Sequence, residues 1–434
     1  MTPLFVSIVM FTLLIVLILL RIPVAFSLAI AVLPILIFEP RLTPVMLLQR
    51  MMYSYNSFIL LSVPFFLLAA NTMNDSGITK RLIRLSNSIV GSLRGGLAHV
   101  NIVVSMFFAG ISGSSTADAA GIGSVLIPAM IREKYDRHFS VAVTACSSVM
   151  GVIIPPSIIM VVWGGITNTS VAGMFLAGFI PGVLIGLAQM ALVLVFAVKR
   201  DYPVQSTFSL KELGISFKES ALAGFTPVII IGGITAGIVT PTEASLTAVL
   251  YSFFLGILVY KTIPLKQVPN LLIRTAKLAS LSLFAVGTAS IYGWVLAYFR
   301  IPRFIVSAIG TVTSSSTLML MIIAFIFLVV GTFMDAIPAI VILAPLLKPL
   351  AEYAHIDPLH FAITGIISLS FGLITPPYGL SLLITSEIAE INCTDALKEV
   401  GAFLLVMLVI LLLIICVPDI SLFIPKLFLP GLFQ

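Results

Sequence analysis

Charge is scarce in this chain. Asp, Glu, Lys and Arg together make up 9% of its 434 residues, where a soluble globular domain carries about 25%. That deficit, with 60% hydrophobic residues and a mean hydropathy of +1.20, excludes a soluble protein. Long polar regions are missing too, so any soluble ligand-binding or ATP-hydrolysing domain is expected on another polypeptide. Three cysteines, Cys146, Cys393 and Cys416, lack metal-ligand spacing and are expected to be packing residues. No H-E-x-x-H, G-x-G-D or G-x-S-x-G stretch occurs, which argues against metalloprotease, aspartyl intramembrane protease and serine hydrolase chemistry. An enzyme is therefore not expected, and no cofactor is implied. The net charge of +6 suits Lys and Arg gathered in the cytoplasmic loops of an inner-membrane protein, not nucleic-acid binding.

What fills the chain is apolar runs. Spanning a hydrocarbon core takes about 20 such residues, so the length allows on the order of 10 to 12 crossings. The first run, 3–20, has no basic start and no small-residue cleavage site, and is expected to remain as a span. Arg21, placed inside by the basic-residue rule, puts the N-terminus outside. Further spans are expected at 23–38, 58–73, 160–167, 174–198, 221–238, 244–259, 278–299 and 403–417, with polar links at 39–55 and 199–220. The stretches 78–94 and 261–277 mix Lys and Arg with apolar residues, as a helix lying in the membrane surface does.

Against this background, the stretch G-I-S-G-S-S-T-A-D (110–118) is unlike a span. A Gly/Ser-rich break in hydrocarbon leaves backbone groups that must be buried in protein or line a wet cavity. It is expected to be the tip of a re-entrant helical hairpin with arms at 97–111 and 117–131, each about 22 Å long and too short to cross alone. A helix from residue 140 then breaks at Pro155-Pro156, where missing amide hydrogens free carbonyls. The same punctuation returns later. Asp118 and Asp335 are each followed ten residues on by a proline, Pro128 and Pro345; Gly151 and Gly372 each precede a Pro-Pro pair by four; and His138-Phe139 is echoed by His360-Phe361. The expected fold is an all-α polytopic membrane protein of two related, inverted repeats, each with a re-entrant hairpin and a Pro-Pro-broken helix, the sign of a secondary transporter. A channel would instead need a lining ring of charges or carbonyls.

The hydroxyls of Ser112, Ser114, Ser115 and Thr116, with carbonyls freed between Gly151 and Pro155, offer an oxygen cage for a small hard cation such as sodium. The second copy offers Thr332, Thr375 and carbonyls around Gly331 and Gly372. Asp118 and Asp335 carry two readings, a cap on the second hairpin arm or direct ion or proton handling. Glu243, after Thr240-Pro241-Thr242, is open in the same way.

Six motifs carry a family resemblance: G-I-S-G-S-S-T-A-D (110–118), V-I-I-P-P-S (152–157), P-F-F-L-L-A-A (64–70), G-I-V-T-P-T-E-A (237–244), G-T-F-M-D (331–335) and I-T-P-P-Y-G (374–379). Together they resemble the large membrane subunit of a tripartite ATP-independent periplasmic (TRAP) transporter, over nearly the whole chain. The resemblance implies sodium-driven uptake of an organic anion (a sialic acid, sugar acid or C4-dicarboxylate), handed over by a periplasmic solute-binding protein. It also implies a small four-span membrane subunit, expected here as a separate partner, and an elevator mechanism. On that mechanism 1–94 would be scaffold spans and an interfacial helix. Residues 95–198 would be the first transport repeat (hairpin 95–131, broken helix 140–167), and 199–278 the cytoplasmic linker with more scaffold. Residues 279–434 would be the second repeat (hairpin 316–350, broken helix 361–388) and a final span. One implied sodium site takes Ser112, Gly113, Ser114, Ser115, Gly151 and Pro155; another takes Gly331, Thr332, Met334, Gly372 and Thr375. Substrate falls to Ser115, Thr116, Pro156, Ser157 and Pro377. The alternatives are a stand-alone sodium-coupled divalent-anion symporter and a non-transporting assembly protein.

Overall fold

The structure, a computed structural model, describes residues 2–20, 22–310, 313 and 315–433. Arg21, on which the sequence-based orientation rests, lies outside the described residues. Among those described, the regular structure is helical, with one isolated bridge between Arg94 and Val204.

The chain opens with α1 (Pro3–Leu19), α2 (Val24–Phe38), the amphipathic α3 (Pro44–Tyr55), α4 (Ser62–Asp75) and α5 (Ile78–Val90). A helix-turn-helix follows, α6 (Gly96–Ser112) and α7 (Ser115–Arg132). Next comes an interrupted helix made of α8 (Arg137–Ser148), the single turn α9 (Met150–Ile153) and α10 (Ile158–Thr167). Its two parts are bent by 41°. The long α11 (Val171–Lys199) leads to α12 (Leu210–Thr235), α13 (Pro241–Phe253), α14 (Val268–Tyr298) and the short α15 (Ile301–Ile309). A second helix-turn-helix, α16 (Ser316–Gly331) and α17 (Ala336–Tyr353), precedes a second interruption between α18 (Pro358–Gly372) and α19 (Leu380–Ile388). The described chain ends with α20 (Leu397–Cys416) and α21 (Asp419–Phe428). Both proline pairs, Pro155-Pro156 and Pro376-Pro377, are cis.

Local chemistry explains the helix starts. Asp136 accepts from the His138 and Phe139 amides to open α8, and Asp357 accepts from the Leu359 and His360 amides to open α18. Ser170 and Ser209 do the same for α11 and α12. At α13, Thr240 Oγ1 accepts from the Glu243 amide at 3.3 Å, and Glu243 returns an oxygen to the Thr240 amide at 2.7 Å. This reciprocal box settles Glu243 as a cap.

Two expected links turn out to hold helix, and one expected surface helix joins a longer one. The 39–55 link holds α3, opened by Thr43 and a proline at its first turn. The 199–220 segment is helical from Leu210. The 261–277 stretch continues directly into α14, because no glycine or proline interrupts 270–286. By length and composition, six helices among the described residues can cross a membrane, or seven if the bent pair 137–167 counts as one. That is fewer than the roughly 10 to 12 crossings the length allows, because hairpin arms and interrupted halves are individually short. The chain is a multi-pass membrane protein, and its outer helices show lipid-ready side chains such as Leu405, Val195 and Phe225.

The centre is built by exchange between the two ends of the chain. α7 packs against α19, and α17 packs against α10. Lys348 on α17 donates to the Thr167 carbonyl at the end of α10, at 2.9 Å. Arg137, just past α7, donates to the Ala389 carbonyl at the end of α19, at 3.4 Å. Each cation meets the negative end of a helix dipole. Trp163 on α10 is fully buried against Phe327 and Phe361, with ring centroids 5.5 and 5.1 Å away.

The Thr240–Glu243 box yields a direct prediction. Thr240→Ala should cost about 1 kcal/mol and lower the melting temperature of detergent-purified protein by about 2 °C. Differential scanning fluorimetry checks it, with Thr247→Ala in the helix interior expected to move less.

Candidate functional site

The turn between α6 and α7 is two residues long, Gly113 and Ser114. Gly113 sits at φ +62°, a left-handed conformation that glycine adopts without penalty. A Cβ there would also stand 2.8 Å from the Pro156 carbonyl oxygen. The Gly113 carbonyl accepts from the Ile158 amide at 3.3 Å, so the first turn is bonded to the first interruption. Ser114 caps α7 by accepting from the Ala117 amide at 3.4 Å, and its hydroxyl lies 3.1 Å from that of Thr116. Ser115 reaches across to the other half, 2.7 Å from Ser381 at the start of α19.

Since Ser114 is the cap, Asp118 is free for something else. It is completely buried and accepts a hydrogen bond from Ser112 through Oδ1. Its Oδ2 has no partner among the described residues and lies against Gly151, where an added Cβ would collide with it. Asp335, by contrast, does cap its arm, accepting from the Ala336 amide at 2.8 Å.

The second turn mirrors these contacts with different residues. The Thr332 carbonyl accepts from the Tyr378 amide at 2.9 Å. Gly331 and Gly372 are in backbone contact, and a Cβ on Gly331 would stand 2.7 Å from the Leu369 carbonyl oxygen. Thr332 and Thr375 donate their hydroxyls to Val329 and Phe371 carbonyls, as hydroxyls in apolar helices do, leaving their lone pairs available. Met334 is buried at this turn.

Both turns and residues flanking both interruptions, Val152 and Ile158 at the first and Leu373, Pro377 and Tyr378 at the second, border one cavity of about 1110 Å³, walled also by the α1–α2 corner, α4 and α14. Of the residues singled out from sequence, Ser112, Gly113, Ser114, Ser115, Thr116, Asp335 and Pro377 line it. Gly151, Pro155, Pro156, Ser157, Gly331, Thr332, Met334, Gly372, Thr375 and Asp118 are not part of that lining. Ser157 is engaged in opening α10 and in donating to the Val152 carbonyl at 2.7 Å. The wall also holds residues that sequence reasoning did not assign: Asn71, Asn74, Tyr378 and Arg274. Asn71 and Asn74 fall three apart in the polar C-terminal end of α4, the sequence signal of a polar stripe. Among the described residues Arg274 is the cavity's one basic side chain. Arg50 lies elsewhere, over the Trp294 ring at 5.0 Å.

Hydroxyls and carbonyls gathered at helix interruptions around an apolar-walled cavity, in a multi-pass helical membrane protein, mark the class as a membrane transport protein. The chain belongs to the TRAP transporter large permease family. Residues 11–420 match the family described as "Tripartite ATP-independent periplasmic transporter, DctM component". It is 36% identical to the sialic acid TRAP transporter large permease protein of Vibrio cholerae, over 94% of this chain and 95% of that one. It is also 36% identical to the C4-dicarboxylate large permease protein of Pseudomonas aeruginosa, over 85% and 86%. To the 2,3-diketo-L-gulonate large permease protein of Escherichia coli it is 34% identical, over 86% and 87%.

The two glycine contacts generate a paired test. Gly151→Ala places a methyl on the Asp118 carboxylate, and Gly372→Ala places one on the Gly331 backbone. Each should cost about 1–3 kcal/mol by overpacking and shift the thermal transition downward. Gly401→Ala, with open space around it, should leave the transition unchanged or slightly raised.

Proposed function

We propose that this chain is the large membrane subunit of a sodium-coupled TRAP system that imports an organic carboxylate across the bacterial inner membrane. A periplasmic solute-binding protein hands the anion over, and a separate small four-span subunit completes the permease. One observation carries this reading: both turns and residues flanking both interruptions border one cavity, and the first turn is bonded to the first interruption through Gly113. Sialic acid, C4-dicarboxylates and 2,3-diketo-L-gulonate, named for the relatives, share a carboxylate.

On this reading one sodium ion sits behind the cavity lining, among Ser112, the unpartnered Asp118 oxygen and the carbonyls around Gly151 and Pro155. A second sits among Gly331, Thr332, Met334, Gly372 and Thr375. Ser115, Thr116 and Pro377, which line the cavity, hold the solute. The exchange of contacts between α7 and α19 and between α17 and α10 supports two inverted repeats that move together as a transport body. α1–α5 and α12–α14 then serve as the scaffold of an elevator. Lys80, Arg81, Arg84, Lys218, Lys266 and Lys277 cluster around the ends of α4, α5, α12 and α14, which supports a cytoplasmic location for those ends. The first hairpin then enters from the cytoplasm, the second from outside, and the cavity opens inward.

Proteoliposomes test the proposal. An inward sodium gradient should drive accumulation of radiolabelled carboxylate only when binding protein and small subunit are both present, and choline in place of sodium should abolish it. Ser112→Ala should raise the half-saturating sodium concentration about tenfold, equivalent to about 1.4 kcal/mol. Accumulation by this chain alone would establish the stand-alone symporter instead.

A further inference from the structure

Resting on the proposed transport function, we propose that Arg274 is an exit station for the substrate anion at the inner mouth of the cavity, and that Asp75 is its built-in competitor. The wall contributed by α14 runs from Arg274 through Leu278, Leu281 and Ser282 to Ala285, a length of about 16 Å at 1.5 Å per residue. Arg274 stands in the second turn of α14 and Asp75 is the last residue of α4, so the pair marks the end of that wall. Asp75 also borders the neighbouring basic recess with Lys80, Arg81 and Lys218, which joins this mouth to the cytoplasmic face.

A carboxylate leaving the hydroxyl-lined turns passes along a wall whose only cation, among the described residues, is this guanidinium, with Asp335 as the cavity's one acid. The guanidinium is not used up. A single nitrogen, Nη2, meets both Asp75 oxygens at 3.2 Å, and no acceptor is recorded among the described residues for Nε or Nη1. A guanidinium carries five N–H donors in a planar fork that matches a carboxylate, so a second anion can be held beside Asp75 or in its place. The pair is half exposed, with side chains 54% and 39% accessible. Ion pairs at such sites are weak and exchange readily. An anion held there is therefore released when Asp75 recaptures the nitrogen, and the station shortens the stay of substrate near the turns without trapping it.

The two partners are thus expected to shift one readout in opposite directions, which a merely structural ion pair does not. The readout is the half-saturating internal concentration in counterflow, measured in sided proteoliposomes with the complete system. N-acetylneuraminate, malate and 2,3-diketo-L-gulonate serve as radiolabelled probes. Arg274→Gln should raise that concentration about tenfold, Arg274→Lys less, and Asp75→Asn should lower it severalfold. The half-saturating sodium concentration should stay the same in all three, which also reports that the variants are folded. Equal values for Arg274→Gln and wild type, or a rise in Asp75→Asn, would overturn the exit station while leaving sodium-driven transport standing. If the wild-type system accumulates none of the three probes under a sodium gradient, the transport reading itself fails and the station with it.

Discussion

A peptide group in hydrocarbon has no water to turn to, and every interruption in this fold is shaped by that constraint. The cost of an unpaired backbone group is several kcal/mol, so a helix can stop inside the protein only where another interruption takes up its orphaned groups. Here they take up one another's. The Ile158 amide, freed just after the first proline pair, finds the Gly113 carbonyl, and the Tyr378 amide after the second pair finds the Thr332 carbonyl. The Ser381 amide returns to the Leu373 carbonyl across the second break. Turn and break are therefore one unit, and neither is satisfied alone.

Close approach is what makes that pairing possible. Gly331 and Gly372 touch through their backbones, and Gly151 lies against the Asp118 carboxylate. In a membrane helix bundle, small residues at the contact do the work that a hydrophobic driving force does in water, letting backbones come close enough for dispersion and polar contacts to accumulate. Lys348 and Arg137 then tie each hairpin region to the helix end of the opposite half. The result is a buried body in which polar atoms are concentrated at the turns, edged by helices whose outward faces are apolar. Such an arrangement keeps unpaired amides away from lipid.

Much of this was legible beforehand, and the reasons are particular. The turn at 113–114 announced itself because Gly and Ser cannot continue an apolar span, and the breaks because two prolines in succession remove two amide donors. The recurrence of Asp, Gly and Pro-Pro at matched spacing pointed to the two places where a helix-turn-helix is followed by an interrupted helix. What was missed were elements whose signal is amphipathic or short. α3 looked like a polar link, because Gln49, Arg50, Ser54 and the tyrosines among its apolar residues lower the mean hydropathy of its window. α15 and α21, at 9 and 10 residues, are too short for a span-length window to register. Arg274 was visible only as one basic residue on a surface helix, with nothing in its neighbours to connect it to a turn more than 150 positions earlier in the chain.

By itself, then, the amino-acid sequence determined that the chain lives in a membrane, where its helices stop, and which residues carry oxygen at those stops. These follow from local physics: hydropathy over a window, the proline ring, the conformational freedom of glycine. Only the tertiary structure decided which stop meets which, that Ser114 and not Asp118 caps its helix, and that a lone guanidinium on α14 shares a cavity wall with the turns. Such pairings depend on long-range packing between segments whose separation along the chain leaves no periodic or compositional trace, so nothing short of the folded arrangement could specify them.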